Sequence, residues 1–264
     1  VKRRHTRHKI CTKNDVNSFQ VRFANPVKPL NYHDLLDAFA LSGCPVCRLL
    51  HADSHRFLDL LLHENVMDGE IQQEFRRARL LCNNHAWQLM HFRGHAADIA
   101  VMSEAVLDEL IRTLEGSTPG QKASRWLFGS RSNPTAEALN PQHPCLCCAH
   151  IDRMEHNYLD TLAAYFHDPI VQETYQVSEG LCLPHFRQFI QRLRTSAEVE
   201  IAVQAQINLW KILKDELGLF LIRTSHGNSD DQPIGAEGDS WKRAVRQIVG
   251  EKDIFGLRRG EDKR

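Results

Sequence analysis

The stretch SGCPVCRLLH, Ser42 to His51, sets two thiols, Cys44 and Cys47, three positions apart just past a glycine. Further on, HPCLCCAHID, His143 to Asp152, repeats the spacing with Cys145 and Cys148. Each pair is followed by a C-x-x-H. The first is Leu81-Cys82-Asn83-Asn84-His85, and the second is Leu181-Cys182-Leu183-Pro184-His185. Cys47 and Cys82 stand 35 positions apart, and Cys148 and Cys182 stand 34 apart. The filler matches as well. Phe57-Leu58-Asp59 aligns with Tyr158-Leu159-Asp160, Asp68-Gly69-Glu70-Ile71-Gln72 with Asp168-Pro169-Ile170-Val171-Gln172, and Phe75 with Tyr175. One deleted residue reconciles the whole segment, so the chain is read as an internal duplication.

Helical periodicity surrounds these anchors. After the first C-x-x-H, apolar residues recur at 3–4 spacing from Ile99 to Leu114; after the second they recur from Val199 to Leu221. Shorter helices are expected at His51 to Leu62 and Ile151 to Phe166, and another from Asn31 or His33 to Leu41, stopped by Gly43. Alternating β-branched runs are nearly absent. The expected fold is all-α, with two tandem helical repeats, each pinned by a Cys3His metal site.

The rest of the chain divides around this unit. Residues 1–30 form a basic segment that turns irregular near Pro26 and Pro29. Residues 31–115 are repeat 1 and 145–223 are repeat 2. Between them, 116–144 reads as a linker through GSTPG, GSRSNP and NPQHP. Residues 224–264 hold a loop, a short amphipathic helix around Trp241-Lys242-Arg243-Ala244 closed by Gly250, and a charged tail. Of 264 residues, 33 are basic and 33 acidic, which gives no global argument for nucleic acid or an anionic membrane. No run approaches the length of a membrane helix; Leu217 to Ile222 is the densest. The basic start lacks the apolar core of a secretory signal, so the expected location is the cytoplasm, where thiols stay reduced.

The eight cysteines and 15 histidines then point to metal. A C-x-x-C at a helix start puts both thiols on one turn, at the end of the helix that favours anions and so thiolates. Pro45 suits that first turn. C-x-x-H offers a thiolate and an imidazole in the same way. Two such hooks make a closed tetrahedral Cys3His set, suited to structural zinc. The expected sites are Cys44, Cys47, Cys82 and His85, and Cys145, Cys148, Cys182 and His185. Two zinc ions are the expected cofactors; an iron–sulfur cluster is the alternative. Cys147 could compete with Cys148, but the repeat register selects Cys148. Cys11 reads as a free thiol in the tail, and His143 as a loop histidine. The pairs His51/His55 and His91/His95 could hold another ion but read as ordinary surface or half-buried side chains. Arg76, Arg77 and Arg79 read as a solvated helix face. Asp59 and Asp160, with Asp68 and Asp168, recur in both halves, which suggests helix caps or partners of a ligand histidine.

Other chemistries lack their signatures. No His follows either C-x-x-C, as covalent haem would require. H-E-x-x-H, G-x-S-x-G, a P-loop and a dinucleotide fingerprint are missing, and the deaminase pattern lacks its His-x-Glu. Full protein ligation leaves no open metal position, which argues for structure rather than catalysis.

The order C-P-x-C-R-L, (Phe/Tyr)-Leu-Asp and L-C-x-x-H, then Gly180-Leu181-Cys182-Leu183-Pro184-His185-Phe186-Arg187 and the Trp241-Lys242-Arg243-Ala244 helix, resembles an uncharacterised bacterial family with a domain of unknown function. The resemblance spans roughly residues 33–255 and implies the architecture and the eight ligand positions, with no activity attached. The expected function is a zinc-binding, non-catalytic helical scaffold or regulatory module for a protein partner. Nucleic acid is a second partner class, through Lys2, Arg3, Arg4, Arg7, Lys9 and Lys13. An iron–sulfur or thiol redox sensor is the competing reading.

Overall fold

Apolar spacing sets where the helices run, and a few left-handed residues set where they stop. The computed structural model describes residues 28–116, 133–225 and 235–255. Helix α1, Leu30–Phe39, buries Tyr32, Leu35, Ala38 and Phe39. Gly43, at φ 90°, then turns the chain into α2, Pro45–Leu60, which opens on proline and runs on through a π-turn at Leu61–Asn65. Helices α3, Gly69–Ala78, and α4, Asn83–Leu89, carry the chain to α5, Ala96–Glu115. A short α6, Pro134–Leu139, precedes α7, Leu146–Tyr165. Then come α8, Pro169–Val177, α9, Leu183–Ile190, and α10, Ser196–Ser225. A 3-10 turn, Ala236–Asp239, leads into α11, Ser240–Val249, which Gly250 ends at φ 86°. No strand occurs among the described residues, so the fold is all-α.

The duplication is visible as matched elements. Helices α2 to α5 correspond in order to α7 to α10. Asp68 and Asp168 cap α3 and α8: Asp68 accepts from the backbone N–H groups of Glu70 and Ile71, and Asp168 from that of Ile170. Phe75 and Tyr175, matched in sequence, are both fully buried. Each such side chain contributes about 1.5–3 kcal/mol by leaving water.

The repeats are not side by side, however. The largest helix–helix contact joins α2 to α7, and α1 lies against both. Between α2 and α7, the Tyr158 hydroxyl donates to buried Asp53 at 2.8 Å. Phe166, Tyr175 and Phe189 pack ring against ring beside Phe39. One continuous core therefore draws on both halves.

The structure lengthens two expected helices and adds others. α2 begins at Pro45 rather than His51, and α7 at Leu146 rather than Ile151, because each first turn is a metal-type hook without apolar periodicity. α3, α4, α8 and α9 are each shorter than three turns, too short to show a clear periodic pattern. α6 falls inside the expected linker; the Arg79 guanidinium donates to the Ala138 carbonyl at 2.8 Å and ties it down. The basic cluster Lys2 to Lys13, and Cys11 with it, lies outside the described residues.

Candidate metal centres

All four cysteine hooks use one local geometry. Cys44, Cys82, Cys145 and Cys182 each occupy the N-cap of a helix, α2, α4, α7 and α9, with φ near −60° and extended ψ. The second donor of each hook, Cys47, His85, Cys148 or His185, follows in the first turn of the same helix. Each hook thus sits where the helix dipole and unpaired N–H groups favour negative charge.

The hooks do not meet within a repeat. Cys44 and Cys47 converge with Cys182 and His185, and Cys145 and Cys148 converge with Cys82 and His85. This overturns the expected grouping of Cys44, Cys47, Cys82 and His85 in one site and Cys145, Cys148, Cys182 and His185 in the other. It also overturns the expectation that each site pins a single repeat. The reason is a degeneracy of duplication. Either pairing gives two Cys3His sets from identical hooks, and only the packing of α2 against α7 decides between them.

In the first centre, the Cys44, Cys47 and Cys182 sulfurs lie 3.4, 3.4 and 3.3 Å from His185 Nδ1. The Cys47 and Cys182 sulfurs are 3.7 Å apart. In the second, the Cys82, Cys145 and Cys148 sulfurs lie 3.2, 3.5 and 3.4 Å from His85 Nδ1. Cys82 and Cys148 are 3.6 Å apart. Within each centre all four donors fall within 4.8 Å of one another. A tetrahedral zinc with bonds of about 2.3 Å to sulfur and about 2.0 Å to nitrogen needs separations of about 3.8 and 3.5 Å. The donor sets fit such an ion. No disulfide links any of the described cysteines.

Packed this closely, the four side chains of each cluster shift one another's protons. Burial pushes the Cys44 thiol up, but bonds to Cys182 and Cys47 and the charge of His185 hold it well below its usual range. Burial lowers His85, yet contacts with Cys145, Cys147 and Cys82 outweigh it and raise it to about 12. Neighbouring sulfurs push Cys47, Cys148 and Cys182 up, so each cluster favours one thiolate beside an imidazolium, and a bound cation would displace the remaining protons.

The surroundings were less visible in the sequence. His185 Nε2 meets the Glu155 carboxylate at 3.0 Å, and the same oxygen accepts from the Gln188 amide at 3.0 Å. That contact fixes the ring with Nδ1 towards the sulfurs. Glu155 stands seven residues past Cys148, where repeat 1 has Ser54, and the six positions before it differ between the repeats as well, so the sequence carried no signal that singled it out. Phe255 packs on the His185 ring at 5.0 Å, and Gly250 comes so close to Phe255 that a Cβ there would overlap it. The Asn84 amide, inside the second centre's hook, donates to the Asp253 carbonyl at 2.9 Å. The C-terminal segment therefore touches both centres.

The remaining candidates take other roles. Cys147 is fully buried but outside the donor set, with its sulfur 3.4 Å from the Ser54 hydroxyl. His143 pairs with Glu74 at 2.7 Å. His55 packs on Phe92, His95 pairs with Asp98, and neither histidine pair joins a metal-type group among the described residues. Asp160 pairs with Arg192, and Asp59 lies near His63; neither approaches a ligand histidine. Arg76, Arg77 and Arg79 are half-buried rather than a solvated face.

The sequence pattern of a family of unknown function, DUF6062, matches residues 31–254. The chain belongs to this family. The DUF6062 match includes all eight donors, Glu155 and the Trp241 helix, and begins after the basic cluster. No curated protein and no solved structure matches this DUF6062 chain.

Proposed function

We propose that the protein binds two zinc ions, one in each centre, and that the metal-pinned helices serve as a non-catalytic scaffold or regulatory module for a protein partner. The observation that carries the metal reading is the pair of buried Cys3His clusters at tetrahedral spacing. Thiolates on different irons of a cluster stand further apart than donors gathered around one ion, so the spacing favours a single ion. Four protein donors fill the coordination shell, which suits structure over catalysis. The two ions would take the place of disulfides in a reducing compartment such as the cytoplasm. No helix among the described residues is long and apolar enough to cross a membrane.

Support for a partner comes from α11, which is turned inside out. Its polar Ser240 and Gln247 are buried, and Arg243 is tied to Glu216 and Asp239. Its apolar Trp241, Val245, Ile248 and Val249 face solvent along one side. Trp241, Val245 and Val249, with Phe255, border an open groove of about 500 Å³ that also takes in both cations and carboxylates, Lys242, Arg246, Glu251, Lys252 and Asp253. Arg246 pairs with Glu251 and Lys252 with Asp253, so what the groove leaves unanswered is its apolar surface, and a protein bringing apolar side chains fits it.

Elemental analysis of anaerobically purified protein, with an absorption spectrum of the same sample, tests the metal. Two zinc per chain and no visible band support the reading; iron with a visible band, or no metal, overturns it. A photo-crosslinker at Val245 tests the partner. One discrete adduct, lost when Trp241 and Val249 become Ser, supports it; no adduct in cells refutes it.

A further inference from the structure

We infer that the two centres hold zinc unequally: the first is a permanent site, and the second is the one that exchanges its metal. This rests on the zinc reading above and adds which centre gives up its ion, and why.

The duplication supplies an internal control, since matched positions carry different side chains. At the first centre Glu155 accepts the far N–H of His185, and Gln188 steadies the carboxylate. At the second, the position of Glu155 is Ser54, whose hydroxyl donates to Gln88 at 3.0 Å. Among the described residues no carboxylate is hydrogen-bonded to His85. A carboxylate behind a ligand imidazole makes it a stronger donor and fixes its ring; losing such a partner typically weakens metal binding about 10–100-fold.

Three further differences point the same way. Val46 fills the space beside the first centre's thiols, whereas its counterpart beside the second is Cys147, a thiol that touches Ser54. Cys47, Cys182 and His185 are fully buried, with Phe255 packed on the His185 ring, whereas Cys148 is partly exposed and gives an incoming chelator an edge to attack. The chain enters the first centre's C-x-x-H through Gly180 at φ 75°. It enters the second through Leu80 at φ 76°, a conformation that strains any residue with a Cβ.

The test is zinc release from the full-length protein into an excess of a coloured chelator. The wild type should lose one zinc quickly and the other at least tenfold more slowly. Glu155→Gln keeps the volume and an accepting oxygen but removes the charge; it should speed the slow phase about tenfold and leave the fast phase unchanged. The double change Ser54→Glu with Cys147→Val transplants the first centre's surroundings and should slow the fast phase. Release of both ions in a single phase overturns the inference, as does a slow phase that ignores Glu155→Gln or a fast phase that responds to it. If one variant fails to fold, the wild-type phases and the other variant still decide. Protein that carries no zinc at all refutes the metal reading itself, a different result from two equal ions.

Discussion

Replacing Cys182 by serine separates the observed ligand pairing from the alternative. Cys182 is fully buried and belongs with Cys44, Cys47 and His185. A structural zinc site contributes roughly 10–16 kcal/mol of metal-linked folding energy, so one of four donors carries a share of about 3 kcal/mol. That is a sizeable part of a typical stability of roughly 5–15 kcal/mol, yet leaves most of it, and the variant should still fold. At about 2–4 °C per kcal/mol for a chain of this size, the melting temperature should fall by about 6–12 °C. Thermal melting measures that drop, and peptide-resolved alkylation of the native variant locates it. Cys44 and Cys47 should label faster than in wild type, while Cys82, Cys145 and Cys148 keep their wild-type rates. Faster labelling of Cys145 and Cys148 with Cys44 and Cys47 unchanged would restore the within-repeat grouping and refute the packing argument. A melting temperature equal to wild type would sink the structural role of the metal.

Gly180→Ala should destabilise by about 2–4 kcal/mol, from left-handed backbone strain and overpacking. Its Cβ would come within 2.8 Å of Leu209 and 2.9 Å of Gln206, as a shifted denaturant midpoint would report. Asp53→Ala strands the Tyr158 hydroxyl between α2 and α7 and should cost about 1–3 kcal/mol by the same assay. Acid should release the metals, because protons compete for the thiolates and imidazoles that bind them. Stability should therefore fall as pH drops from neutral in zinc-loaded protein, and much less in chelator-treated protein; equal slopes would argue against linkage.

Much of the site was legible because its signals are local. A hook of two donors three residues apart needs only one helical turn, and its four occurrences named all eight donors. The choice of Cys148 over Cys147 followed from register alone, and the structure agrees. The caps Asp68 and Asp168 were legible for the same reason. What depended on contacts between distant helices was not legible. Which hook faces which is set by α2 packing on α7, and no spacing encodes it. Glu155 acts across a helix pair, on a histidine 30 positions away. The solvent-facing side of α11 was also hidden. Its amphipathic pattern is plain, but an amphipathic pattern ordinarily predicts the apolar side inward.

The crossed pairing also sets an order of assembly. Of the eight grouped residues the first to leave the ribosome, Cys44 and Cys47, wait for the last to be made, since Cys47 and Cys182 lie 135 residues apart. At about 5–20 residues per second, that is a delay on the order of ten seconds. The other crossing, Cys82 to Cys148, spans 66 residues and can close while translation continues. A nascent chain therefore gathers its more open cluster first and its sealed one last. An ion in the first centre would lock together early and late parts of the core, so a chain truncated before Cys182 would keep Cys44 and Cys47 without their partners as a chemical mark of incompleteness.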